Sequence, residues 1–487
     1  MLGLYFQDTI ALRPNLHLSL GLRYEYTTLI HDRRNNTAYI TDVWRDTEAL
    51  RGRLLSRNPS GKDFAPRIGL TWSPGNRAST VIGLGFGVYH DPFMRYALFG
   101  RDASSPYYRR AVKTNFDSSS FFPNSAAALA GQPHDGKALD YFNPHVPVTY
   151  RYTASVQQEF PGDWRLQATY VGARGNHLIR AYEGVQFPFP ILQEDGSLFF
   201  PPDTPQVNPH FSEFGYGGMD AQSFFNALQI SGGRQTGSGM SARASYSFSK
   251  SVDDSSHPSQ EISQFGFDRT LTRALSNFDV RHRLSFNYLY PLPFGGGQPW
   301  WNSGIASKVF GGWRIGGILS LRSGTPFTAG VSVQTPGYLF SATQPNLLPE
   351  RRNNPIKGVS SGCADPRTGG SAIAAGVPLG GPELYFDPCS FSVPLPGTIG
   401  NAGRNTLLAP WLFNVDVSVQ REFTVDSKRR LQFRAEVFNV PNRANFGQAL
   451  SGVYSGAYPG RPNPTAGRIN ETVTTSRQIQ FALRLSF

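Results

Sequence analysis

The chain has 487 residues, of which only 39% are hydrophobic, and its 51 Gly and 37 Pro disfavour helix over most of its length. The net charge of +12 comes from Lys and Arg scattered along the chain without a continuous basic stripe, so the sequence gives no support for a nucleic-acid partner. No apolar run reaches the roughly 18 to 20 residues that a membrane helix needs, which leaves strands as the elements that could meet a bilayer.

Alternation of apolar and polar residues predicts thirteen strands. In the eleventh of them, Phe413, Val415 and Val417 alternate with polar residues, and the last strand ends the chain on Phe487. Each strand therefore has one face suited to an apolar medium and one suited to a polar medium. The predicted strands cover residues 2–12, 16–26, 64–72, 78–89, 149–159, 164–170, 223–234, 242–248, 284–290, 313–322, 413–419, 430–438 and 477–487.

The connections between these strands alternate in length. The short ones carry turn residues such as Pro, Gly, Asn and Asp, and they lie at 13–15, 73–76, 160–163, 235–239 and 424–429. The long ones lie at about 28–63, 90–148, 173–222, 251–279, 323–412 and 439–476. Residues 291–312 depart from this rule, because they stand where a short turn is expected and are too long for one.

Short turns on one side and long loops on the other are typical of outer-membrane proteins, in which the short turns face the periplasm. Since a spanning structure without helices must pair all of its backbone groups, the sequence predicts an all-β fold, an antiparallel transmembrane β-barrel with long extracellular loops. Thirteen strands is an odd number, whereas bacterial single-chain barrels have an even one. We therefore expect the chain to contribute only part of a barrel.

Short motifs recur from one end of the chain to the other. They are Tyr5-Phe-Gln-Asp8, Gly21-Leu-Arg-Tyr-Glu25, Asp279-Val-Arg-His-Arg283, Tyr290-Pro-Leu-Pro-Phe-Gly295, Gly311-Gly-Trp-Arg314, Ser323-Gly-Thr-Pro-Phe327, Phe413-Asn-Val-Asp416, Arg434-Ala-Glu-Val-Phe-Asn439, Asn445-Phe446 and Phe487. In this order and spacing they resemble the Oar-like TonB-dependent receptors. The resemblance implies a barrel of about 22 strands with a plug in its lumen. Residues 1–487 are then expected to be its C-terminal part, without the plug, the regulatory-like N-terminal domain or the signal peptide.

The resemblance also implies a function and partners. A scarce or bulky ligand would bind the external loops and the plug, and the inner-membrane TonB complex would act only through that plug. Siderophore, oligosaccharide and peptide ligands all stay open. Expected partners are outer-membrane lipid, lipopolysaccharide and the barrel-insertion machinery, whose signal the terminal residues resemble: Phe481, Leu483, Leu485 and Phe487.

Charged residues on the polar faces are candidates for the lumen wall. We consider two hypotheses for them, namely pairing with a plug, or mutual ion pairs on a solvated wall. These residues are Arg23, Glu25, Arg67, Arg165, Arg243, Arg283, Asp416, Arg434, Glu436 and Arg484.

The two cysteines, Cys363 and Cys389, lie in one long loop, and in an oxidising compartment this predicts a disulfide bond. No further ligands with metal-site spacing stand near them. A nucleophile-elbow string occurs at 358–362, but in a Pro/Asn/Gly-rich loop without the strand-to-helix context that gives it chemistry. The sequence therefore predicts neither a cofactor nor an enzyme.

Two other functions stay open. One is a structural or adhesive outer-membrane barrel whose long loops bind surfaces or polysaccharide, without energised transport. The other is a secreted soluble protein of several sheets, which would need a second sheet over its apolar face. The alternation of short and long connections and the terminal Phe487 argue against the soluble alternative.

Overall fold

The computed structural model describes residues 1–29, 33–34, 38–53, 55–75, 79–91, 127, 133–182, 190–194, 198–257, 269–334, 344–426 and 428–487. Thirteen strands follow one another in chain order in one sheet, and every neighbouring pair is antiparallel. We call this the main sheet. Its strands are β1 (Leu2–Arg13), β2 (Leu16–Tyr26), β3 (Asp63–Trp72), β4 (Thr80–His90), β5 (Val148–Phe160), β6 (Trp164–Tyr182), β7 (Phe211–Gln235), β8 (Ser241–Asp253), β9 (His282–Pro291), β10 (Trp313–Arg322), β11 (Leu412–Thr424), β12 (Arg430–Phe438) and β13 (Gln478–Ser486).

The predicted strands are thus confirmed in number and in order. Most bounds agree to within two residues, but β6, β7, β8 and β11 are longer than predicted. In β6 and β7 the additional residues pair with each other, from Gly175 with Ser223 to Tyr182 with Tyr216, with irregular register between them. The sequence missed this extension because its residues lack a strict period of two.

The register aligns the apolar residues of all strands on one face of the main sheet. Across the last strands, for example, Leu319 lies opposite Val415, and Ala435 lies opposite Phe481. The other face carries the polar residues. We call the two sides the apolar face and the polar face.

The remaining elements lie in the connections. Residues His134–Leu139 pair in parallel with β7, and Ala274–Leu275 pair with β8. Small sheets are formed by Ala38–Tyr39 with Leu50–Arg51, Ile191–Leu192 with Leu198–Phe199, Pro326–Phe327 with Leu407–Leu408, Gly330–Gln334 with Gly452–Ala457 and Arg461–Pro462, Asn346–Leu347 with Phe391–Ser392, and Cys363–Ala364 with Ser371–Ile373. Short 3-10 helices are Pro59–Lys62, Arg269–Thr272 and Pro388–Ser390.

One α-helix, α1 (Gly304–Phe310), lies in the connection between β9 and β10. This is the connection that the sequence showed to be too long for a turn. In the part of the chain that the structure describes, no helix is long and apolar enough to cross a membrane.

The buried cores lie in the connections and at the extended ends of β6 and β7, where Ile179, Met219 and Phe211 pack, and not on the regular part of the main sheet. The largest cluster of buried apolar residues joins two connections, at 323–411 and 439–477, and includes Phe327, Phe386 and Val453. Large side chains of the apolar face are instead exposed, for example Phe481, with 70% of its surface accessible. This is the reverse of a water-soluble protein, which buries its continuous apolar surface.

The main sheet has two open edges. Within the described residues, β1 pairs only with β2, and β13 pairs only with β12. The residues of β1 are exposed along its whole length.

Candidate functional site: the polar face and the external loop body

Arginines outnumber carboxylates on the polar face. By the pairing register, this face carries Arg23, Arg67, Arg151, Arg165, Arg243, Arg283, Arg314, Arg322, Arg430, Arg434 and Arg484 against Glu25, Asp63, Glu159, Asp253, Asp416, Glu422 and Glu436. The polar face therefore has a positive field, which favours an anionic or acidic surface against it.

Several of the predicted lumen charges pair with one another. Arg23 donates to Glu25, 2.7 Å away and two residues along β2. Arg434 lies 3.4 Å from Glu436 in the same manner on β12. In both pairs the two charges lie on the same strand and face, two residues apart.

Arg165 pairs with Glu159 across the short turn between β5 and β6, at 2.6 Å. Both side chains are largely exposed, so this pair contributes little to stability.

Other predicted charges are held differently or have no ionic partner. The Oδ1 atom of Asp416 accepts hydrogen bonds from the backbone N–H of Asn439 and from the side chain of Asn414, so it fixes the start of the long connection after β12. Among the described residues, Arg243, Arg283 and Arg484 form no ion pair. Arg283 even lies directly opposite Arg322, a repulsive arrangement that an anionic partner would relieve.

Arg67 lies beside an aromatic ring. Its guanidinium carbon is 4.7 Å from the centre of the Tyr89 ring, and that of Arg151 is 5.0 Å from the same ring. The neighbouring positions of the polar face are glycines, Gly69, Gly85 and Gly87 among them, so this region forms a shallow trough. Tyr89 and Arg151 were missed by the sequence analysis, although both occupy polar-face positions of predicted strands.

The external loop body covers the long-loop end of the main sheet, and we define it as residues 323–334, 344–411 and 439–477. Its two connections are joined by the parallel pairing of Gly330–Gln334 with Gly452–Ala457. A disulfide joins Cys363 to Cys389, with their Cα atoms 5.4 Å apart. The loop body is thus a packed unit with its own core and its own cross-link.

Buried hydrogen bonds hold this body together. Asp387 accepts from the backbone and side chain of Ser361 and from the backbone of Cys389. Ser360, the serine of the nucleophile-elbow string, donates to the carbonyl of Ala374 and accepts from the N–H of Val377, so its contacts are those of a turn.

A buried ion pair joins the loop body to the long connection between β8 and β9. Arg404 lies 2.5 Å from Asp253 at the end of β8, and the two side chains are only 11% and 3% exposed. The same guanidinium donates to the carbonyl of Thr272 and to the hydroxyl of Ser256. The sequence gave no signal for Arg404, because its partners lie more than a hundred residues away.

Burial shifts the pKa of several groups in the connections. It raises the pKa of Tyr385, whose hydroxyl donates to the carbonyl of Leu408, to about 12. Burial also raises the pKa of Tyr454, of Asp254 and of Asp279, the last against the opposing effects of a hydrogen bond from Ser251 and of nearby basic groups. Packing constrains these titratable side chains.

Among the described residues, no cluster of three or more His, Cys, Asp or Glu side chains is placed to hold a metal ion.

The predicted terminal signal lies on the apolar face of the edge strand. Phe481, Leu483 and Leu485 are 70%, 71% and 54% exposed, and the final residue Phe487 is 96% exposed. They are accessible both to lipid and to another protein.

A two-faced antiparallel sheet whose apolar face is exposed and whose cores lie at its loop end defines an outer-membrane β-barrel protein. The chain belongs to the outer membrane beta barrel domain family, which it matches over residues 1–480. It is therefore a protein of the outer membrane. No curated protein sequence matches it.

Solved structures to which the chain is similar include the following three. The outer membrane transporter YddB from Escherichia coli has 10% identity and a TM-score of 0.47, over 99% of this chain and 44% of that one. The ferripyoverdine receptor of Pseudomonas aeruginosa has 10% identity and a TM-score of 0.43, over 99% and 38%. The ferric-catecholate import receptor Fiu from E. coli K12 has 9% identity and a TM-score of 0.41, over 99% and 44%. The chain thus spans less than half the length of these structures.

Proposed function

We propose that the chain forms the C-terminal part of the barrel of an Oar-like TonB-dependent receptor, which takes up a scarce or bulky ligand. The observation that carries this proposal is the polar face, which continues across thirteen strands with more arginines than carboxylates. A wall of this kind suits a lumen that holds an acidic plug. The order of the sequence motifs supports the same class.

The two open edges support a larger barrel. In lipid every backbone N–H and C=O group must be paired, and an exposed edge strand cannot meet this condition alone. Further strands beyond β1 and β13 would pair these edges and close the barrel. A plug supplied by the same larger protein would then fill the lumen and contact the TonB complex.

The loop body supplies the ligand-facing surface in this proposal. Its core, its disulfide and the Arg404–Asp253 ion pair hold it in one arrangement over the long-loop end. A preorganised surface loses little conformational entropy when it binds. The same rigidity favours the alternative of an adhesive barrel that binds surfaces or polysaccharide without transport.

Cross-linking from the polar face separates the two functions. We would place a photoreactive group on Arg151→Cys, which lies in the trough, and on Ala154→Cys, on the apolar face of the same strand as a matched control. In native outer membranes the group at position 151 should attach to a plug peptide, and the group at 154 to lipid only. Recovery of nothing but main-sheet peptides from position 151 would contradict the receptor and favour the adhesive barrel.

A further inference from the structure

The connection between β9 and β10 carries an exposed apolar surface at the short-turn end of the main sheet. The side chains of Trp300, Trp301, Ile305, Val309 and Phe310 are between 48% and 81% exposed. Trp301 stacks on Phe294 and contacts the tilted ring of Phe310, with ring centres 4.6 and 4.9 Å away, so the surface has a fixed shape. An exposed cluster of this kind indicates an apolar partner.

Two side chains of the apolar face bind the C-terminal end of α1. The indole of Trp313 donates to the carbonyl of Val309 at 3.0 Å. The guanidinium of Arg421 donates to the same carbonyl at 2.6 Å and to the carbonyl of Lys308. These bonds satisfy carbonyls that a helix end leaves unpaired, and they place a positive charge where the helix dipole favours one.

The position of these two residues fixes the side on which α1 lies. Trp313 and Arg421 are opposite each other in the register, at the short-turn ends of β10 and β11. Both belong to the apolar face, where Trp313 meets the ring of Phe433, which in turn meets the ring of Phe481. The cluster on α1 therefore continues the lipid-facing surface of the barrel at the level of the periplasmic interface.

We propose that α1 and the preceding Trp300–Trp301 pair insert into the periplasmic leaflet and bind phospholipid. Trp and Phe side chains are favoured at a membrane interface, and Lys308, exposed on the same helix, can reach the head groups. The hydrogen bonds from Arg421 to α1 also explain why a guanidinium lies on the apolar face. They hold this charge at the membrane interface, so it is not exposed to hydrocarbon. The connection is thus a membrane anchor that lies in the interface plane.

Depth-dependent quenching tests the anchor in the complete, closed barrel, which rests on the proposed function, folded into liposomes of phosphatidylethanolamine and phosphatidylglycerol. An environment-sensitive fluorophore on Ile305→Cys should be quenched by nitroxide lipids, at a depth of roughly 5–10 Å, and shielded from aqueous iodide. The matched control is Lys428→Cys in another short turn, whose label should be quenched by iodide and not by lipid. Both variants should keep the heat-modifiable gel mobility of the parent.

Equal iodide quenching of the two labels would overturn the proposal. So would shielding of position 305 that requires added periplasmic protein, because the surface would then bind a protein and not lipid. A second pair of variants tests the attachment of α1 to the sheet. Arg421→Met should abolish the lipid quenching of the label at 305, whereas Arg430→Met, on the polar face, should leave it unchanged.

Discussion

At the scale of single residues, the external loops depend on a few buried polar groups. The Asp253 side chain is only 3% exposed, and Arg404 is its ionic partner. Removing one member of a buried pair leaves an uncompensated charge, which costs far more than the net contribution of the pair. The cohesion of the loop body with the connection after β8 therefore depends on Arg404.

Replacing Arg404 with Met tests this dependence. We expect a loss of about 3–5 kcal/mol in the free energy of local opening, because Asp253 stays buried without its partner. Hydrogen exchange at the amides of Ser276 and Asn405, measured in the folded protein, reports this opening. The matched control is Arg165→Met, whose ion pair with Glu159 is exposed, and a change of about 0–1 kcal/mol is expected there. Equal effects of the two substitutions would show that burial does not determine the outcome.

Tyr385 should make the loop body sensitive to alkali. Its pKa is raised to about 12 in the folded state and is near 10 in the unfolded state, so the folded state retains the proton at a higher pH. The resulting stabilisation is present below pH 10 and is lost as the pH rises to 12, by about 2–3 kcal/mol in all. In a difference titration of tyrosinate absorbance, the Tyr385→Phe variant should lack a transition near pH 12. A missing transition near pH 10 instead would mean that Tyr385 is not buried.

At the scale of elements, the alternation of each strand reports the two media that it separates. On β10, Leu319 lies between Phe286 and Val415 on the apolar face, whereas Ser320 lies between Ser285 and Asn414 on the polar face. Adjacent residues of one strand are therefore expected to respond oppositely to a charge.

Leu319→Arg should destabilise the folded protein by about 2–4 kcal/mol, because the guanidinium would lie in hydrocarbon. Ser320→Arg should change the stability by less than about 1 kcal/mol, because its side chain projects into lumen water. Denaturant unfolding in phospholipid vesicles, followed by tryptophan fluorescence, measures both. Two equally harmful substitutions would mean that the polar face is not solvated.

This alternation explains why the thirteen strands could be predicted from the sequence alone. A period of two is a local signal, and the long connections did not interfere with it. The loop body was not predictable, since pairings such as Gly330–Gln334 with Gly452–Ala457 join segments more than a hundred residues apart without a local pattern. The helix α1 was missed because seven residues are too few for a clear helical period. Of the candidate site, the charges on strands were found, but not the contacts made by Tyr89 and Arg404.

At the scale of the whole molecule, two environments stabilise two regions. The loop body and its neighbours bury apolar cores in water, whereas the main sheet exposes its apolar face. Lipid contact satisfies that face, and backbone pairing beyond β1 and β13 would satisfy the open edges. The charge of the polar face and the two open edges are the observations on which the proposed receptor rests.

The most direct measurement is the DNA sequence immediately upstream of the Met1 codon, translated in the same frame. The receptor proposal predicts a continuous reading frame that encodes a signal peptide, a plug and about nine further strands, enough to complete a barrel of about 22. Stop codons in that frame, together with a ribosome-binding site directly before Met1, would contradict it. The chain would then have to close its edges without such strands, and the transport proposal would be withdrawn.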